Sequence, residues 1–192
     1  MKLGKICRII KKLIYYFFSI TLFRYAYKKK YIKGKHFNSI RGEGWHWIFR
    51  GFFFQKILGI NRDIPWPVAP GVKIYLPEKD NIIFHSDDLN NFQTNGTYFQ
   101  AIGKIIIGKG SYIAPNVGII TANHDLKNLD KHSEVKDVVL GEKCWIGMNS
   151  VILPGVVLGD STIVGAGSVV TKSFVEGNCI IAGNPAKVIK KI

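Results

Sequence analysis

The chain has 192 residues, 47% of them hydrophobic, and carries a formal net charge of +14. That length and apolar content suffice for one packed domain with a small appendage and exclude a disordered chain. Three cysteines, Cys7, Cys144 and Cys179, are too few and too scattered for a disulfide framework or for a zinc site built from close cysteine pairs, so a reducing compartment and no bound metal are expected.

Positive charge is confined to one end. Residues 1–42 contain twelve Lys or Arg and no Asp or Glu, whereas the remainder carries 15 basic against 13 acidic residues and is nearly neutral. Inside this arm the run Leu13–Phe23 is apolar but only eleven residues long; a spanning helix needs about 20. A signal peptide has a similar basic start and short apolar core, yet "RYAYKKKY" follows where a small-residue cleavage site belongs. The next stretch, 44–60 ("GWHWIFRGFFFQKILGI"), is dense in Trp and Phe with Arg50 and Lys56 interspersed. Trp and other amphipathic aromatics favour the headgroup level of a bilayer, and each basic residue near anionic lipid is worth about 1 kcal/mol. Residues 1–60 are therefore expected to form a helical extension associated with an anionic membrane surface. Packing of these helices on the rest of the protein or on a partner chain is the alternative. Charges interleaved with bulky aliphatics, and the lack of a recognised binding motif, argue against nucleic acid.

From about Ile107 a period of six begins: "IGKGSY", "IAPNVG", "IITANH", then "LGEKCW", "IGMNSV", "ILPGVV", "LGDSTI", "VGAGSV" and "VTKSFV". Every first position is aliphatic: Ile107, Ile113, Ile119, Leu140, Ile146, Ile152, Leu158, Val164 and Val170. The second is mostly Gly or Ala, expected to supply corner conformations, and the fifth is mostly small, so Cys144 reads as inward packing. No helix repeats at six and an alternating strand repeats at two, so each hexad is one short strand plus a corner of a solenoid, three to a triangular coil. Aliphatic ladders fill the tube. Residues 71–106 keep a blurred beat and read as one or two irregular coils, so the solenoid domain spans 61–192. Residues 125–139, "DLKNLDKHSEVKDVV", break the beat and must leave the tube as an extruded loop.

The segments "IGKGSYIAPNVGIITANHD", "CWIGMNSVILPGVVLGDSTIVGAGSVVTK" and "AGNPAKVI" resemble the hexapeptide-repeat acyltransferases, and most closely the sugar O-acetyltransferases of the galactoside and maltose type. The resemblance covers about residues 100–192. It implies a mainly β protein built on a left-handed parallel β-helix, a homotrimer with active sites between neighbouring subunits, and acetyl-CoA as acyl donor without a metal.

A solenoid wall is backbone and aliphatic side chain, so chemistry must come from where it is interrupted. Acyl transfer to a hydroxyl needs a base as the oxygen attacks, and His has the suitable pKa. The resemblance gives that role to His124, with Asn123 and Asp125 beside it as acceptor-binding candidates. It gives the oxyanion donor to the backbone amide of Met148, whose side chain is unlike the small residue of the galactoside enzyme. For coenzyme A it points to Ala166, Thr171 and Lys172, with Lys187 and Lys190 standing where the family has arginines; a lysine lacks the bidentate fork. Trp145 is expected to point outward as a cleft wall or subunit contact. His132, His85, His46 and His36 receive no catalytic role.

The expected function is acetyl-CoA-dependent acetylation of a sugar hydroxyl on a glycan or its precursor, lipid-linked by the logic of the basic arm, at the cytoplasmic face of a membrane. Transfer is direct, since no Ser or Cys nucleophile accompanies His124 in the motif. Transfer to an amine by the same scaffold is the alternative. A metal-dependent hydratase of the carbonic anhydrase type would need three converging histidines, and a non-catalytic scaffold would only present the arm.

Overall fold

The computed structural model describes residues 3–192 except Lys79, with the backbone alone at Leu3 and Lys5; Lys2, one of the basic residues of the arm, lies outside the described residues. The chain divides into two units, Met1–Pro70 and Gly71–Ile192. The boundary expected at 60/61 thus moves ten residues on. The cause is Gln55, buried, which holds the strap 61–68: its Nε2 donates to the carbonyls of Asn61 and Trp66 (both 3.2 Å) and its Oε1 accepts from Val68 N (2.9 Å).

The N-terminal unit contains helix α1 (Leu3–Thr21), two 3₁₀ turns, and helix α2 (Glu43–Gly51), which continues as a π-helical turn over Phe52–Ile57. α1 packs on α2. Tyr27, Trp45 and Ile48 form the core, with Tyr16, Ile20, Phe23 and Phe37 against them. Ser19 is fully buried because its Oγ donates to Trp45 O at 2.7 Å. The tryptophans do not take the headgroup role expected of them: Trp45 and Trp47 are 8% and 7% exposed, interior to their own unit. The exposed apolar surface lies instead on α1, at Ile9, Ile10, Leu13, Ile14, Phe17 and Phe18. Among the described residues no helix is long and apolar enough to cross a membrane.

The second unit is a three-sided parallel β-helix. Face A stacks β1 (Lys73–Tyr75), β3 (Tyr98–Gln100), β6 (Gly118–Ile120), β9 (Val151–Ile152) and β12 (Val169–Val170). Face B stacks β2 (Ile82–Phe84), β4 (Ile105–Ile107), β7 (Val138–Leu140) and β10 (Val157–Leu158). Face C stacks β5 (Tyr112–Ile113), β8 (Trp145–Ile146), β11 (Ile163–Val164), β13 (Cys179–Gly183) and an antiparallel last strand, β14 (Ala186–Lys191). Registers Leu140–Leu158, Ile146–Val164 and Ile152–Val170 show a coil of eighteen residues, three hexads. All nine first-position aliphatics are buried.

The second-position glycines serve close approach between coils and not special backbone angles. A Cβ on Gly108 would meet Gly141 C at 2.3 Å, and one on Gly147 would meet Val164 O at 2.6 Å, so neighbouring coils occupy the space. Positive φ at the corners falls on other residues, among them Asn116, Lys143, Asn149 and Ser161. Fifth-position hydroxyls are satisfied internally: Ser111 Oγ donates to Gly141 O (2.8 Å), Ser150 Oγ to Gly165 O (3.0 Å) and Thr162 Oγ1 to Gly159 O (2.6 Å).

Upstream, a 3₁₀ segment over Ser86–Phe92 takes the place of a face C strand. Asn91 does the pairing there, its Oδ1 accepting from Ile113 N and its Nδ2 donating to Ser111 O, both at 2.9 Å. The extruded loop ends earlier than the expected 139, because Val138 and Val139 already pair with Ile105 and Ile106 as part of β7.

Candidate active site

The chain leaves the wall after β6, at the edge where face A turns into face B, and the departure is pinned. Thr121 is buried; its Oγ1 donates to Gln100 O (2.6 Å) and accepts from Gly103 N (3.0 Å), and Ala122 N donates to Gln100 Oε1 (3.1 Å). The loop then doubles back. Asn123 O accepts from Ser133 N (2.8 Å) and Ser133 Oγ (3.1 Å), and Asp125 N donates to Lys131 O (2.9 Å). An Asx turn closes its tip: Asp125 Oδ1 accepts from Lys127 N and Asn128 N at 2.8 and 2.9 Å. Asp125, an acceptor-binding candidate, therefore has one carboxylate oxygen committed to shaping the loop.

Within this neck His124 and His132 form an antiparallel bridge, their rings stacked with centroids 5.1 Å apart and planes inclined by 24°. His124 Nδ1 lies 2.7 Å from Leu129 O. A carbonyl only accepts, so Nδ1 carries the proton, and the neutral imidazole has its lone pair at Nε2. One nitrogen is oriented by the fold and the other is left for chemistry, the arrangement a general base requires. His132 was passed over in the sequence. The signal for it was there: turn-forming Asp125 and Asn128 in a short polar insert predict a narrow hairpin, which carries 132 back across from 124.

The remaining candidates divide between two edges. Thr171 and Lys172 follow β12 on the A-to-B edge from which the loop bearing His124 departs, two coils along. Met148 and Ala166 lie on the C-to-A edge, after β8 and β11, in adjacent coils joined by Gly167 N donating to Met148 O at 2.8 Å. Face A separates the two edges, so one chain does not bring Met148 to His124. Trp145, on β8, is 55% exposed and sits in register above Tyr112, equally exposed. Lys187 and Lys190 are exposed on β14, which extends face C.

Cys144 sits at its inward corner position, buried, with its thiol's pKa pushed up by burial. That is an inert environment for a nucleophile. Among the described residues no group of three or more His, Cys, Asp or Glu is placed to hold a metal ion.

Residues 137–172 match the model of the bacterial transferase hexapeptide (six repeats). A protein of Dictyostelium discoideum provisionally named an acetyltransferase is 47% identical over 106 residues, which are 53% of this chain and 55% of that protein. One of Escherichia coli K12, provisionally named a colanic acid biosynthesis acetyltransferase, is 35% identical over 107 residues, 54% of each. The chain thus spans about half the length of these relatives. Among solved structures, the maltose O-acetyltransferase from Clostridium difficile 630 is 33% identical with a TM-score of 0.52, covering 65% of both chains. A hexapeptide-repeat-containing acetyltransferase of Vibrio cholerae, solved with acetyl coenzyme A, is 23% identical with a TM-score of 0.53 over 65% of this chain and 66% of that one, a likeness of fold. The hexapeptide repeat of that family model lies within the parallel β-helix, the fold this chain shares with these acetyltransferases.

Proposed function

We propose that this chain is an acetyl-CoA-dependent O-acetyltransferase whose acceptor is a sugar hydroxyl. The observation that carries the reading is the His124 ring, held at Nδ1 by Leu129 O, so that in the neutral ring Nε2 is the nitrogen able to accept a proton. Nε2 takes the acceptor's hydroxyl proton as its oxygen attacks the thioester carbon. The carbon–oxygen bond forms, the tetrahedral oxyanion accepts from the Met148 amide, and collapse breaks the carbon–sulfur bond. The proton held by His124 passes to the departing coenzyme A thiolate. No acyl-enzyme intervenes, in keeping with the buried position of Cys144.

Because Met148 and Ala166 occupy a different edge from His124, the reading assigns the site to two copies of the chain in a homotrimer, one lending the C-to-A edge and its neighbour the loop. Trp145 then lines the junction, and Ala166, Thr171, Lys172, Lys187 and Lys190 line the path of the donor. The likeness to the maltose enzyme supports a sugar hydroxyl over an amine. The exposed apolar residues of α1, with basic neighbours, support association with an anionic membrane at its cytoplasmic face and a glycan acceptor or precursor attached to lipid.

The test is coenzyme A release by pure full-length protein offered acetyl-CoA with matched hydroxyl and amino sugars. Release with the hydroxyl acceptor that is lost in His124→Ala supports the proposal; release with the amine alone, or an intact rate in His124→Ala, refutes it.

A further inference from the structure

We propose that the N-terminal unit holds a binding site for a phosphate ester, a phosphomonoester or diphosphate, in a cleft of about 420 Å³ between α1 and the turn into α2. Four cations line it: Arg8, Lys11 and Lys12 from α1, and Arg41 from the turn. Residues 8, 11, 12 and 15 follow the i, i+3, i+4, i+7 spacing of one helical stripe, so the three cations and Tyr15 face the cleft together. Ile10, Leu13 and Phe17 lie on the opposite side of the helix and are exposed. The same helix thus separates an apolar surface from a basic one.

None of the four cations is paired with a carboxylate among the described residues. Glu43 is the acidic residue in the lining. Four positive charges against one negative leave a strong local excess, and a ligand bearing about two negative charges at neutral pH, as phosphate esters do, balances it better than a single carboxylate. Arg8 and Arg41 can each give a planar fork to phosphate oxygens, while Lys11 and Lys12 act as point charges. Tyr15 and His46, ring centroids 4.8 Å apart, make an aromatic wall, and Lys11 Nζ lies 5.6 Å from the Tyr15 ring centroid. His46, also in the lining, has its pKa lowered first by burial and then by the charges of Arg50 and Lys11, against the raising effect of Glu43.

The site is separate from the acyl-transfer reading and stands or falls without it. Its ligand is either a free phosphate ester or the phosphate of a lipid, and two probes distinguish these. Inorganic pyrophosphate is titrated into the full chain by calorimetry. Phosphatidylcholine vesicles containing phosphatidate, a phosphomonoester lipid, are compared with vesicles of equal surface charge containing phosphatidylserine.

Each probe is repeated with the double variant Lys12→Ala/Arg41→Ala and with Lys28→Ala/Lys29→Ala, which removes equal charge outside the cleft. A built site predicts that pyrophosphate binding, or the preference for phosphatidate, falls at least about tenfold in the first variant and little in the second, as loss of charge-assisted hydrogen bonds requires. Pyrophosphate bound without any phosphatidate preference assigns a free ligand; the preference alone assigns a lipid-borne one. Equal losses in the two variants, or neither form of binding in the parent, overturn the proposal and reduce the arm to diffuse charge.

Discussion

His124 Nδ1 and Leu129 O lie 2.7 Å apart across the neck of the extruded loop, and because a carbonyl only accepts, the neutral ring keeps its lone pair at Nε2. Removing the imidazole by His124→Ala should lower kcat by about 10² to 10⁴, the usual worth of general-base assistance, with a smaller change in the KM for acetyl-CoA. Loss confined to KM would show that His124 binds substrate and does not deprotonate it. The check is steady-state coenzyme A release against both substrates.

The placement of His124 and Met148 on different edges of the prism predicts complementation between subunits. His124→Ala removes the base from one edge; Ala166→Trp obstructs the other, where Ala166 is exposed beside Met148. Each should be inactive alone. Unfolded together and refolded as mixed oligomers, they should regain activity, because some sites then combine two intact edges. A mixture as inactive as its components would assign the whole site to one chain.

Two glycines separate packing between coils from mere smallness. At Gly147 an added Cβ would meet Val164 O at 2.6 Å and Ala166 N at 2.7 Å, both backbone. At Gly118 it would meet only the Val151 methyls, at 3.8 Å, an ordinary contact. Gly147→Ala should therefore cost about 1–3 kcal/mol as an overpacked site and also disturb Met148 next to it, whereas Gly118→Ala should be nearly neutral. Urea midpoints and activity of the two variants decide between these outcomes.

The same glycines show where the sequence was readable. The ladder from Ile107 to Val170 was legible because a tube interior demands an aliphatic at every turn of a fixed period, whatever the surroundings. The cause of the glycines was not, since close approach and positive φ leave the same letter; only coordinates distinguish Gly147, crowded by backbone, from Gly155 at φ +83°. His132 and the two-edge division depend on which corner each hexad occupies, a matter of three-dimensional count. Trp45 and Trp47 suit a membrane face or a small aromatic core equally well, and only packing decides. The core holds them.

That burial narrows the membrane expectation for residues 1–60 to the exposed face of α1. Leu13→Ser/Phe17→Ser changes side chains that are 49% and 60% exposed, so the fold should persist while binding to phosphatidylserine-containing vesicles drops by at least about tenfold, given roughly 1.5–3 kcal/mol per large apolar side chain buried. Trp45→Ala should instead unfold the N-terminal unit, since it removes the ring against which Tyr16 and Phe37 pack. Unchanged vesicle binding in the serine variant would leave the apolar face of α1 to a protein partner.

Acid should loosen the N-terminal unit through His46. Burial, then Arg50 and Lys11, hold its folded pKa below the ordinary 6.5, outweighing the raising effect of Glu43. Between that depressed value and 6.5 the unfolded chain binds more protons than the folded one, so stability rises with pH through this window and falls on acidification. His46→Gln keeps a polar side chain without the titration and should flatten that part of the profile. Tryptophan fluorescence reports on this unit directly through Trp45 and Trp47, so melting curves at a series of pH values measure it. An anion bound beside Lys11 offsets part of the positive field on the ring, so added pyrophosphate should diminish the His46-dependent part of the slope.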